Sequence, residues 1–560
     1  MKRLLALAFL VSACSEGAND GSPAAESPDT SVALDVAPVE PDTTPAPDEG
    51  PPPPPPFHPV GNVYEANPLD TPETIVVELP HLTSDDHRLE GEFARVRNCV
   101  PDTEGQQVDV GFMKVTVCTP SFTALPGDDG TYQHIAPPAD PGSMDDQFAE
   151  VNMYFHMQLI HDYFKDNHGL TELDWPLDAI VNLQAYVGLC DTWSSIGNAA
   201  FVPKGANAFF GIDLPLDVAG DALIFGQTKK KDFSYEADVV YHEYTHAMVG
   251  STRLNAVFPD DQGINNLPGA LNEAYADYFA GSLSEDSTIG DYALTDTEPI
   301  EICGVPLGTG GANLARDMSN LRTCPDDLTG EVHADSELFS SALWVIRKDL
   351  GPEVADKIIL GALLGFTQTT DFGTAAAATV AFADEELPTA KVKMVKAAFE
   401  ARNLLDCKRA LPIAKIGARG LPLTVMSEGS FDPNPYGNFV PGPMQLQVEL
   451  PPEVKEATIY FTVVGGQPKG EIAWKPGPEP VAYTYNMVTG KSTNDSLVAT
   501  PLEKGSGSGV WKTRIAGSCL SKGVWTFAIH NKGGELSIAK VTATPGFSEP
   551  TDPNFGGCGQ

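Results

Sequence analysis

The stretch Glu236 to Thr252, EADVVYHEYTHAMVGST, constrains this chain more than any other. It contains His242-Glu243-Tyr244-Thr245-His246, an HExxH motif. Residues four apart share one face of a helix, so His242 and His246 can offer two imidazoles to one metal ion. Glu243 falls at the edge of that face, placed to act as a general base on a water there. Val239, Val240, Ala247 and Met248 supply apolar positions at helical spacing, and Gly250-Ser251 supplies a stop.

A second stretch completes the set. Leu271 to Phe279, LNEAYADYF, has the pattern of another amphipathic helix. Glu273, 27 residues beyond His246, is the expected third ligand. Two His and one Glu leave the fourth position open for water or substrate, as a catalytic zinc site requires. Asp277, one turn further on, is expected to accept a hydrogen bond from the distal N–H of a ligating histidine. The competing reading packs both histidines into a core helix and turns Glu273 to solvent. HExxH followed by NExxxD on a second helix is much more specific than HExxH alone, and it favours the metal.

The pair HEYTH and NEAYAD resembles the glutamate-zinc metallopeptidases, the thermolysin and fungalysin relatives. Metzincin spacing is absent, because the position six residues after His246 is Thr252. Further stretches carry the resemblance: Val63 to Pro68 (VYEANP), Asn152 with His161-Asp162-Tyr163-Phe164, and Lys396 to Asn403 (KAAFEARN). It spans roughly residues 60–407. It implies an α+β thermolysin-like metallopeptidase, with a β-rich N-terminal lobe, zinc helices and a helical C-terminal lobe. It implies Zn2+ as cofactor, and Ca2+ as a second cation that related exported peptidases use.

The resemblance also assigns substrate-side residues. Its N-A-[FY]-[FYW] edge strand holds an extended peptide by strand addition. Two stretches compete for that place: Asn207-Ala208-Phe209-Phe210 fits literally, and Asn198-Ala199-Ala200-Phe201 fits loosely but is better followed. Arg316, in Leu314 to Ser319, corresponds to an arginine that grips a substrate carbonyl. His333, in Gly330-Glu331-Val332-His333-Ala334-Asp335-Ser336, corresponds to a histidine that donates to the tetrahedral intermediate. The family's acidic partner for that histidine has no matching offset, leaving Asp326, Asp327 or Glu331 as substitutes. The family's active-site tyrosine would fall between His246 and Glu273, but residues 247–272 contain none.

Asp145 to Asn167 has a long helical pattern. His156, His161 and Asp162 within it invite a metal reading, but three ligands are already assigned, so packing beside the cleft is preferred. Helical patterns also cover Leu338 to Leu350, Pro352 to Phe366, Ala375 to Glu386 and Thr389 to Leu404. Gly308 to Gly311 and Gly490 to Thr493 lack the context of a phosphate-binding loop.

The ends differ in texture. Residues 1–14 read as an export signal, and Val11-Ser12-Ala13-Cys14 resembles a bacterial lipoprotein cleavage box, which would make Cys14 the lipidated N-terminus. Residues 15–58, rich in Pro, Ala, Asp and Glu and including Pro51 to Pro56, read as an extended tether. Residues 59–408 form the expected catalytic domain. Residues 412–548 show short alternating runs punctuated by Gly, Pro, Asn and Asp, the pattern of a β-sandwich, with a tail at 549–560. Trp474, Trp511 and Trp525 there are read as core in preference to a binding face.

A formal net charge of −41 argues against partners that need a cationic surface, nucleic acid first among them. Without Cys14, eight of the nine cysteines remain, an even number that suits disulfides in an exported chain. Cys99 with Cys118 and Cys303 with Cys324 are the locally plausible pairs. The expected protein is thus an exported, lipid-anchored zinc metalloendopeptidase acting on proteins or peptides, with the membrane met only through that anchor. The alternative is a lipoprotein adhesin or binding module that keeps the fold but has lost the reaction. An aminopeptidase would need an acidic anchor for the substrate amine, and no such strand stands out.

Overall fold

The chain is described from a computed structural model, which covers residues 59–548 apart from 84–87, 106, 110–113, 189, 204–217, 219, 251–253, 255–256, 299, 303–304, 308–310, 312, 416–420, 424–438, 467–468, 518–519 and 532–535. Cys14, the tether, Asn207-Ala208, Cys303, Cys519 and Cys558 lie outside the described residues.

The N-terminal lobe is built on a five-stranded mixed sheet. Its order is Ala199–Val202, Ala222–Phe225, Leu177–Val181, Ala94–Val100 and Thr119–Ser121. The three inner strands run parallel and the two outer ones antiparallel to their neighbours. The central strand, LDAIV, is buried along its whole length, as a strand covered on both faces must be. Its Asp178 is buried as well, paired with Arg95 at 2.7 Å and Arg97 at 3.1 Å. A four-stranded antiparallel sheet of Gln107–Asp109, Lys114–Val117, Gln184–Val187 and Thr192–Ser195 stands beside it. The Cys99–Cys118 disulfide ties the two sheets together.

Helix α1, Phe148–Asp162, packs across the inner strands and continues as a single π-helical turn, Tyr163–Asn167. Asp146 Oδ1 receives the free N–H groups of Phe148 and Ala149 at its start, at 2.9 and 3.3 Å. His156 is held in the core between the Tyr241 hydroxyl at 2.8 Å and the Tyr64 carbonyl at 3.0 Å. Burial pushes its pKa down to about 4, so it is a neutral packing residue. His161 is bracketed by Asp162 and Asp174.

Helix α2, Ala237–Val249, is buried at every residue and packs against α1 and against α3, Leu267–Ser284. Gly250, at φ 71°, stops α2, and Pro268 opens α3. Between them, Phe258–Asp260 and Gly263–Asn265 form a short hairpin. Four more helices follow: α4, Val332–Leu350; α5, Pro352–Leu363; α6, Phe372–Glu386; and α7, Thr389–Glu400. Cys324, before α4, is bonded to Cys407, after α7. The expected Cys303–Cys324 pair is therefore wrong. Proximity in sequence suggested it, whereas the helical lobe folds back and brings residue 407 beside 324.

Besides a small hairpin, Tyr483–Asn486 with Lys491–Asn494, the described residues of 410–546 form two five-stranded sheets. One contains Ala410–Pro412, Gln445–Leu450, Gly523–Asn531, Gly470–Pro476 and Val498–Pro501. The other contains Leu421–Leu423, Leu536–Gly546, Glu456–Gly466, Val510–Ala516 and Glu503–Lys504. Trp474 and Trp525 are fully buried, with their indole N–H groups donating to Thr500 Oγ1 and the Ser521 carbonyl. Among the described residues, no helix is long and apolar enough to cross a membrane.

Candidate active site

The two helices that carry the motifs meet at their polar faces. His242 Nε2 and His246 Nε2 lie 3.1 Å apart. The Glu273 carboxylate reaches across from α3, 3.2 Å from the first and 3.6 Å from the second. One ligand atom from each residue falls within 4.8 Å of the others, and all three side chains are buried.

The outer ring nitrogens are already committed. His242 Nδ1 is 2.9 Å from Asp277 Oδ1, and His246 Nδ1 is 2.9 Å from Asn272 Oδ1. Each acceptor fixes a proton on Nδ1, so in the neutral rings both Nε2 atoms carry lone pairs. Those lone pairs face each other and a buried carboxylate. Such an arrangement repels itself unless a cation lies among the three, and His, His and Glu are donors suited to zinc. In the protein alone, protons supply that positive charge. Burial by itself would lower the pKa of His242, but Asp277 and Glu273 outweigh it and push it up to about 10.

Asp277 is itself clamped. Arg316 Nε and Nη2 lie 2.9 and 2.7 Å from its two oxygens, and Ser336 Oγ donates at 3.3 Å. Burial would raise this carboxyl, but Arg316 and then His242 hold it down to about 2. Arg316 is buried in turn, and its Nη2 approaches His242 Nδ1 at 3.4 Å. The residue expected to grip a substrate carbonyl is thus turned first onto Asp277.

His333 enters from the start of α4, with Nε2 3.6 Å from Glu273 Oε2. Glu331 is its acidic partner. It is the N-cap of α4 and accepts from the backbone N–H groups of His333 and Ala334, at 3.1 and 2.8 Å. Its Oε1 also lies 2.7 Å from His333 Nδ1. Burial would lower the His333 pKa, but Glu273 and Glu331 raise it to about 9. Asp335 fastens the preceding loop by accepting from the N–H groups of Thr329 and Gly330 at 2.6 and 3.0 Å.

Glu243 points from α2 to the edge strand Ala199–Val202. Its Oε2 accepts the Phe201 N–H at 2.8 Å. Gly226 N–H donates to the Asn198 carbonyl at 2.8 Å, so Asn198 faces the neighbouring strand. Backbone groups alternate sides along a strand, so Ala199 faces the same edge as Phe201, which no other strand covers among the described residues. Of the two competing stretches, the one containing Asn198 and Ala199 stands over α2. The other lies outside the described residues. Asn272, Glu331 and the Phe201 amide are the site partners that spacing alone did not single out. Asn272 directly precedes Glu273, which is the one local signal that could have marked it.

A second acidic group lies at the foot of α2. Glu236, Asp238 and Asp291 bring carboxylate oxygens within 4.8 Å of one another. Asn67 Nδ2 bridges Glu236 and Asp291 at 3.2 and 3.0 Å. Asp238 Oδ1 is buried and has no hydrogen-bond partner among the described residues. Burial first, then neighbouring carboxylates, raise all three pKa values, that of Asp238 to about 7.

Residues 264–404 match the family model described as the thermolysin metallopeptidase, alpha-helical domain, and the match spans Glu273 and Asp277 of the site. Among solved structures, the chain is similar to the precursor of protealysin, a metalloproteinase from Serratia proteamaculans. That match has 18% sequence identity, covers 58% of this chain and 96% of that one, and has a TM-score of 0.35. No curated protein matches the chain.

Proposed function

We propose that the protein is a zinc-dependent metalloendopeptidase with Glu243 as its general base. The observation that carries this reading is the position of Glu243. It directly follows His242 on α2, and its carboxylate accepts the Phe201 N–H of the strand at the edge of the described sheet. Zinc bound by those three residues supplies a Lewis acid and brings the pKa of water toward about 7. Glu243 takes the proton from the attacking water and delivers it to the leaving amine. His333 Nε2 donates to the oxyanion that develops on the peptide carbonyl, and Glu331 holds its ring. The edge strand at Asn198 and Ala199 aligns an extended protein or peptide substrate by its backbone. Arg316 acts chiefly by holding Asp277, which holds His242.

The reading extends to the rest of the chain. Residues 1–14 direct export as a bacterial lipoprotein, Cys14 carries the lipid, and the tether holds the catalytic domain off the membrane surface. A Ca2+ ion at Glu236, Asp238 and Asp291 would occupy the orphaned Asp238 Oδ1 and relieve three crowded carboxylates. One observation favours the rival binding module: residues 247–272 hold no tyrosine to assist His333. A merely structural metal would have no use for Glu243 where it stands.

The test is cleavage of an unfolded protein by the purified chain and by Glu243→Gln, each with and without a zinc chelator. Cleavage is expected to fall by about 10²–10⁴-fold in the variant, with bound zinc retained, and to vanish with chelator. A zinc-loaded wild type that cuts no better than Glu243→Gln overturns the reading in favour of the binding module.

A further inference from the structure

The hairpin between α2 and α3 is two strands of three residues that, among the described residues, pair only with each other. A hairpin of that size has little stability of its own in water. This one is held from the C-terminal sheets. The buried Arg409 donates from Nη1 to the Ile264 carbonyl at 2.7 Å and from Nη2 to Asp260 Oδ1. Its backbone N–H donates to Gln262 Oε1 at 2.9 Å. Asp260 organises the turn in its own right, accepting from Gln262 N–H at 2.9 Å and Asn265 Nδ2 at 3.0 Å. Gln445 Nε2 donates to the Gln262 carbonyl at 3.0 Å, and Tyr483 N–H donates to that of Asp261 at 2.8 Å. Gly263, at φ 130°, lies so close to the C-terminal segment that a Cβ would come 2.5 Å from the Gly442 carbonyl oxygen.

The far end of the same hairpin reaches the catalytic loop. Asn266, next after its second strand, donates from Nδ2 to the Gly330 carbonyl at 2.6 Å. Gly330 precedes Glu331, the residue that holds His333. A continuous set of contacts therefore runs from Arg409 through Asp260 and the hairpin to Asn266, Gly330 and His333. It passes through the segment where the missing tyrosine would have stood.

We propose that Arg409 is a positioning residue: through the hairpin and Asn266 it sets the placement of the His333 loop, which makes the C-terminal β-domain a working part of the active site. This rests on the metallopeptidase reading for its catalytic consequence, and on the contacts alone for its mechanical one. A loop bearing a transition-state donor need shift only slightly to cost rate. The loss should fall on kcat, because His333 is assigned to the oxyanion and not to substrate binding.

The experiment compares the full chain with Arg409→Met, Arg409→Lys and Asn266→Ala. Amide exchange by mass spectrometry reads the hairpin and residues 329–333, while a fluorogenic peptide gives kcat and KM, and metal analysis gives zinc content. Arg409→Met is expected to speed exchange at least about tenfold in both segments. Asn266→Ala is expected to do so only in 329–333. For both, kcat is expected to fall about 10–100-fold, with KM and zinc content little changed and Arg409→Lys intermediate. Unchanged exchange at 329–333, or unchanged kcat in a zinc-loaded variant, overturns the proposal. Asn266→Ala keeps the test open should Arg409→Met fail to fold, since it cuts the connection downstream of the domain contact. A wild type that does not cleave at all would sink the metallopeptidase reading, and the exchange data would still decide whether Arg409 holds the loop.

Discussion

Glu331 caps α4 and grips His333 with the same carboxylate: Oε1 lies 2.7 Å from Nδ1 of the ring and 3.1 Å from the residue's own backbone nitrogen. Helix start and ring orientation are thus one contact. Replacing His333 with Phe is expected to lower kcat about 10²–10³-fold, as loss of an oxyanion donor does elsewhere, while zinc content stays the same. Glu331→Gln keeps one acceptor oxygen but loses the charge and the second oxygen, so kcat is expected to fall by a smaller factor, with KM moving less than kcat. Steady-state kinetics on a peptide substrate checks both.

Asp277 lies one position outward from the His242–His246–Glu273 group, holding His242 at 2.9 Å and held by Arg316. Asp277→Asn removes the charge that orients the ring. Zinc affinity is expected to drop about 10–100-fold, measured by competition with a chromogenic chelator. Arg316→Met leaves Asp277 buried without its main cation, so both zinc affinity and thermal stability are expected to decline. An affinity unchanged in Asp277→Asn would mean that Asn272 and His246 fix the metal without help.

Glu150 gives a pH prediction with a definite sign. It is fully buried in α1, where burial lifts its pKa to about 7 against the bonds it accepts from Thr123 and Ala124. The unfolded chain releases this proton near an ordinary pKa of about 4.3. The folded chain keeps it until about 7. Stability from this group is therefore present at low pH and fades as pH rises through that window. Gln cannot titrate, so the melting temperature of Glu150→Gln relative to wild type is expected to climb from pH 5 to pH 8. A difference that stays flat with pH would show that Glu150 does not titrate in this window.

The Cys324–Cys407 bond closes the helical lobe across a sequence separation of 83 residues. Loops that long gain several kcal/mol from closure in the chain-entropy account, and losing such a bond costs about 2–5 kcal/mol. Cys407→Ser is therefore expected to lower the denaturation midpoint in urea. A free Cys324 that reacts with a thiol reagent only in the variant would confirm the pairing.

The helices and the meeting of His242, His246 and Glu273 were legible in sequence because they repeat a local rule. Four-residue spacing in HEYTH and the NEAYAD pattern need only helical geometry to bring His242, His246 and Glu273 together. Asp277 followed from the same spacing. What was hidden had two sources: chain reversals set the Cys324–Cys407 pair and the turn of Arg316 onto Asp277, and the N-cap geometry of α4 chose Glu331 among three acids. The hairpin Phe258–Asn265 was hidden for another reason. Its strands are too short for an alternation to show, and its stability comes from Arg409, more than a hundred residues away in sequence.

The bond between the Phe201 amide and Glu243 has a consequence for where a substrate is cut. The strand expected to lie along a bound peptide also grips the group expected to move the proton. Strand pairing advances in steps of two residues, because the open-edge groups recur at every second position. A peptide sliding by one residue would present the wrong face, and one sliding by two would present the next carbonyl in the same place. Cleavage would then be indexed by backbone register, with side chains choosing among registers that the strand has already made discrete.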